Sequence, residues 1–135
     1  MAEPVNTVTN GFIILAAIMA FILVRKARIG FPPGIAVLLF LLFATGIGSF
    51  FWHAFRTRTA LAFDAIPGVL FLIVFSGLWI RRLFGTMIGI FGAIAIVGAA
   101  AGSVLLWRHY AGDVLPGQMA FVPAFVTIAV IGIGL

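Results

Sequence analysis

Cysteine is absent from this chain, and its 135 residues include only three acidic side chains and two histidines. Without thiols there is neither a disulfide framework nor a thiolate metal site, so any bound metal has nitrogen and oxygen ligands. Charged residues make up 8% of the chain against 64% hydrophobic, too little polar surface for a soluble domain of this length. The alternation with period two that marks a membrane β-barrel is missing as well, because the apolar runs are continuous. No GxGxxG or Walker pattern follows a strand, which removes the familiar phosphate loops. The net charge of +5 comes from basic residues clustered between apolar runs. That is the distribution of topological signals, not of a surface that binds nucleic acid.

What the chain does contain is five apolar stretches, which predict an all-α, polytopic integral membrane helical bundle forming a single domain over residues 1–135. The first runs from about Val8 to Val24 and stops at Arg25, Lys26 and Arg28. With Glu3 as its only early charge and its basic cluster behind it, this run reads as a retained span and not as a cleaved leader. The second follows Phe31-Pro32-Pro33-Gly34 and reaches Trp52; the third follows Asp64 and ends at Arg81-Arg82. The fourth covers Leu83 to Trp107, and a polar link from Arg108 to Gln118 leads to the fifth, Met119 to Leu135. The first two are each near the roughly 20 residues that cross hydrocarbon as a helix, and the longer fourth has room to tilt or to begin in the interface. With the N-terminus outside, the inner loops hold Arg25, Lys26, Arg28, Arg81 and Arg82 and the outer ones Arg56, Arg58 and Arg108. The excess of basic residues inside favours that orientation.

Polarity interrupts these runs at Ser49, His53 and Asp64. Ser49 and His53 share one helix face at i and i+4. A hairpin across the polar turn Arg56 to Thr59 would bring Asp64 to the same depth. Ionisable groups in a membrane segment are costly and mark functional sites. Each residue also has a plainer reading: Ser49 back-bonding to the Thr45 carbonyl, His53 as an interfacial neighbour of Trp52, and Asp64 as a helix-start carboxylate with Thr59 or Asp64 itself as cap. His109, beside Trp107 and Tyr110, fits an aromatic belt or a loop. Gly85, Gly89, Gly92, Gly98 and Gly102 form a small-residue stripe suited to close helix packing. Pro67 is expected near the start of the third helix, where its missing N–H matters least.

The stretch Gly46-Ile47-Gly48-Ser49-Phe50-Phe51-Trp52-His53, followed by Asp64-Ala65-Ile66-Pro67, resembles the signature of the alkaline ceramidase family. That family lies within the superfamily of seven-helix membrane hydrolases that includes the adiponectin receptors. A second likeness lies in Ala2-Glu3-Pro4-Val5-Asn6-Thr7-Val8-Thr9-Asn10, which resembles the segment leading into that family's first helix. Together they cover roughly the first 70 residues, in the right order, which is more specific than either motif alone.

The resemblance implies a zinc-dependent hydrolase of the amide bond of ceramide-like lipids, yielding a fatty acid and a sphingoid base. It casts His53 as a zinc ligand, Asp64 as the group that holds or deprotonates the attacking water, Ser49 as the group that steadies the oxyanion, and Glu3 as a calcium ligand. It also implies seven helices and a pair of histidines four apart on the last. Neither is present here, and the family's other calcium ligands lie upstream of the Glu3 position, so the domain is expected to be incomplete at both ends, with the reading frame continuing past Leu135. The 135-residue chain alone is expected to hold zinc weakly and to lack activity. Two other readings are a non-catalytic membrane scaffold or assembly partner, and a transporter or channel subunit.

Overall fold

The structure, a computed structural model, describes residues 3–28, 30–111 and 121–133, and these are helical apart from short connections. Five helices follow in order: α1 (Pro4–Lys26), α2 (Pro33–Phe55), α3 (Arg58–Phe84), α4 (Thr86–Ala111) and α5 (Val122–Ile133). Pro4 and Pro33 open the first two, with φ already set for the helix and no N–H to leave unpaired. The basic residues Arg25 and Lys26, and Arg81 and Arg82, lie in the last turns of α1 and α3, where the helix dipole favours cations.

Helices α1 to α4 are long and apolar enough to cross a membrane. The shortest of them has 23 residues; at 1.5 Å per residue this is about 35 Å, against a hydrocarbon core of about 30 Å. Their outward surfaces carry large apolar side chains such as Phe12, Phe40 and Phe91, each at least 66% exposed. In water such a surface is an aggregation liability, and in a bilayer it is the natural one. The chain is an all-helical membrane protein.

Two compact units divide it, Met1–Phe71 and Leu72–Leu135, with α3 contributing to both. In the first unit α1 packs along α2. Gly46 sits against Ile14, and a Cβ there would come within 3.0 Å of the Ile14 backbone nitrogen. In the second unit Ile80, Ile96 and Ala124 form a small core, with Leu72 and Ile73 against it. Gly89 and Gly92 of α4 pack against Arg81 and Ile80 of α3, whereas Gly98 and Gly102 meet nothing among the described residues. Of the expected glycine stripe, only Gly89 and Gly92 therefore form a packing surface among the described residues. Gly85 forms the α3–α4 connection with φ of +95°, a conformation glycine adopts without strain.

Several boundaries differ from those read in the sequence. The turn between α2 and α3 is only Arg56-Thr57, because Arg56 takes the left-handed conformation that ends α2 (φ 54°) and its N–H bonds the Trp52 carbonyl at 2.8 Å. Thr57 then caps α3, its Oγ1 accepting from the Ala60 N–H at 3.1 Å. The cap is thus neither Thr59 nor Asp64, and Asp64 lies within α3 and not at its start. Removing this cap by Thr57→Ala is expected to cost about 1 kcal/mol, read as a lower unfolding midpoint in detergent. Helix α4 extends through Arg108, His109 and Tyr110, so these are helical and not part of a linker. Residues 112–118 of the expected link lie outside the described residues, as do residues 119, 120, 134 and 135 of the fifth apolar run.

Candidate functional site

The α2–α3 hairpin sets the depth of the polar side chains. Ser49 lies six residues before the last residue of α2 and Asp64 six residues after the first residue of α3. In antiparallel neighbours both are then about 9 Å from the turn. They are level, and the Ser49 hydroxyl lies within hydrogen-bonding reach of the Asp64 carboxylate. Ser49 is 7% exposed, so this contact takes a hydroxyl out of the apolar surroundings that would penalise it unpaired. No bond links Ser49 to Thr45; Thr45 itself back-bonds to the Leu41 carbonyl at 2.8 Å. His53, one turn beyond Ser49, is close enough to Asp64 for their charges to interact.

Gly48 makes the approach possible. A Cβ at this position would run into the Phe63 carbonyl and lie 2.7 Å from the Asp64 backbone nitrogen. Pro67, expected near the helix start, is in fact inside α3. Lacking an N–H, it cannot bond the carbonyl four residues back, and that carbonyl is the one belonging to Phe63. The helix rung that proline leaves open therefore faces Gly48, a position on α2 with no side chain. This pairing positions Asp64 beside Ser49.

Glu3 closes the other side of His53. Its Oε2 accepts from His53 Nδ1 at 2.5 Å and from Asn6 Nδ2 at 2.9 Å, while its Oε1 pairs with Arg56 Nη2. The backbone repeats the connection, with the Glu3 N–H donating to the His53 carbonyl at 3.1 Å. Thr7, fully buried, donates its hydroxyl to the Glu3 carbonyl at 2.8 Å. The Arg56 guanidinium also lies 4.8 Å from the centre of the Trp52 ring, within cation–π range. The left-handed conformation costs an L-residue roughly 1–2 kcal/mol, and this double contact helps to offset it at Arg56.

An apolar cavity of about 740 Å³ lies between α2 and α3, lined by Phe40, Ile47, Phe51, Phe55, Phe63 and Pro67 among others. Ile47, Phe51 and Phe55 follow one another at i+4, a face about half a turn around α2 from Ser49 and His53. Gly48 also lines the cavity, which therefore reaches the Gly48–Phe63 contact, whereas Ser49, His53 and Asp64 are not among its lining residues.

The structure thus brings together all four residues singled out in the sequence, Glu3, Ser49, His53 and Asp64. Two more, Asn6 and Arg56, were not foreseen as part of the group. His109 stands in the second unit in edge contact with Tyr110, ring centres 4.9 Å apart.

The donor set fits zinc in kind. His53 has a carboxylate on Nδ1, as zinc-bound histidines do, no hydrogen bond reaches its Nε2 among the described residues, and the Asp64 carboxylate lies close by. It is short in number, since catalytic zinc takes about three protein ligands and no cluster of three or more His, Asp or Glu side chains suited to a metal occurs among the described residues. The Glu3 carboxylate is engaged through both oxygens by side chains, so calcium at Glu3 would compete with Arg56, Asn6 and His53.

Comparisons with protein-family models, with curated proteins and with solved structures found no match for this chain.

Proposed function

We propose that the first unit carries part of the catalytic centre of a zinc-dependent membrane hydrolase that cleaves the amide bond of ceramide-like lipids, releasing a fatty acid and a sphingoid base. The observation that supports this reading best is the level placement of Ser49 and Asp64 beside a histidine whose Nδ1 is already held by a carboxylate. A packing role alone does not call for that combination. Helix pairs of this kind associate through small residues, and Gly46 and Gly48 already provide them.

Zinc held by His53 would supply a bound water with a pKa near 7, and so hydroxide at neutral pH. The protein's own groups do the rest. Asp64 accepts the proton of the attacking water and returns it to the amide nitrogen as the carbon–nitrogen bond breaks. A hydroxyl has a single proton to donate, so Ser49 donates to Asp64 in the resting site. It turns to the developing oxyanion once Asp64 has taken the proton. The reaction lies about 9 Å inside the helix ends, where the lipid's amide can reach it while its tails stay in hydrocarbon.

The test is release of fatty acid from N-acyl sphingoid bases by the natural full-length protein, reconstituted with Zn²⁺. Ser49→Ala is expected to lower the rate by about 10²–10³-fold, the loss of one oxyanion donor. Absence of fatty acid release across acyl lengths, with zinc supplied, would leave the same cluster as a clasp between α1 and α2 in a membrane scaffold.

A further inference from the structure

We infer that Glu3 is the positioning residue of this site: by accepting the Nδ1–H of His53 it fixes the imidazole so that Nε2 is the nitrogen left for a divalent cation. This rests on reading His53 as the ligand. Paired with Arg56, Glu3 is an acceptor-only group, so the proton of the 2.5 Å contact belongs to His53 Nδ1. In the neutral ring Nε2 then holds the lone pair. An unconstrained histidine side chain prefers the opposite tautomer, with the proton on Nε2, so the arrangement is imposed.

Five contacts hold Glu3 in place. The backbone N–H is on the His53 carbonyl, the backbone carbonyl accepts from both the Thr7 N–H and hydroxyl, and the carboxylate takes Asn6 and Arg56. A carboxylate that served only to join two helices would need none of this. Tethering on both the main chain and the side chain is what orients a ring to within the tolerance metal binding requires. Arg56 and Asn6 are part of the same device, since each holds one carboxylate oxygen and so sets its plane.

The experiment is nitrogen NMR on the full chain labelled with ¹⁵N-histidine, in detergent, metal-free and with the imidazole neutral, the His53 signals being identified by their loss in His53→Gln. Wild type is expected to show the Nδ1–H tautomer. Glu3→Gln, whose amide oxygen still accepts, should retain it, and Glu3→Ala should revert to the Nε2–H form. Added Zn²⁺ should perturb Nε2, with affinity about 10- to 100-fold weaker in Glu3→Ala.

A wild-type Nε2–H tautomer would overturn the inference even if Glu3→Ala fails to fold. So would an unchanged tautomer and zinc affinity in a folded Glu3→Ala, or Ca²⁺ displacing the Nδ1 contact at concentrations that leave Nε2 untouched. The last result would make Glu3 a calcium ligand. Since tautomer and zinc affinity are read without substrate, a protein that fails to hydrolyse ceramides yet shows the expected tautomer would refute the proposed activity and leave the positioning role standing.

Discussion

His53→Ala and Asp64→Ala are each expected to abolish lipid-amide hydrolysis in the natural full-length protein while leaving it inserted and folded. Removing His53 takes away the nitrogen donor that the site centres on, and removing Asp64 takes away the proton acceptor that shares its hydrogen bond with Ser49. If the two act on one nucleophile, as proposed, the double variant should be no worse than either single one; groups that work as a unit are not additive. Fatty acid release followed by mass spectrometry, with insertion checked by resistance to alkaline extraction, reads both quantities. Additive losses in the double variant would show that the two side chains serve separate purposes.

Gly48→Ala is expected to be the most damaging small substitution in the first unit. The added methyl would meet the Phe63 carbonyl and the Asp64 nitrogen. These are backbone atoms and cannot swing aside as a side-chain end could. Overpacking of this kind costs about 1–3 kcal/mol and occasionally more, and relief by parting α2 from α3 would separate Ser49 from Asp64. A lowered unfolding midpoint together with loss of hydrolysis is the expected pair of results. Full stability in Gly48→Ala would mean that the helices do not approach as closely as the Gly48–Phe63 contact requires. Gly98→Ala, at a position with nothing within 4 Å, is the matched control and should be close to neutral.

The number and order of the helices were legible in the sequence because continuous apolar runs separated by basic clusters leave few alternatives. Their ends were not. Polar residues such as Arg58 and Thr59 mark where a segment nears water, and a helix carries on through that boundary until a cap stops it. Here the stops are the left-handed Arg56 and the Thr57 hydroxyl, which depend on local bonds and not on hydropathy. Pro67 was misplaced for the same reason: taking Asp64 as the start of α3 put the proline in the first turn, whereas the true start at Arg58 puts it inside.

The level placement of Ser49 and Asp64 followed from a hairpin argument that needed only an approximate turn. Glu3 joined the group in the sequence through family likeness alone, as a calcium ligand. Its contact with His53 was nevertheless implicit in topology, since an antiparallel α1–α2 pair puts residues 3 to 6 at the same end as residues 53 to 56. What topology cannot supply is the side-chain geometry that sets Glu3 on Nδ1 and Arg56 on Glu3.

The central claim is that His53 holds zinc beside Asp64, and metal content tests it most directly. Elemental analysis of the natural full-length protein, purified in detergent and passed through a mild chelator, is expected to give one zinc per chain in wild type and in Ser49→Ala, and none in His53→Ala. Zinc retained in full by His53→Ala, or a metal-free wild type that still releases fatty acid from ceramides, would contradict it.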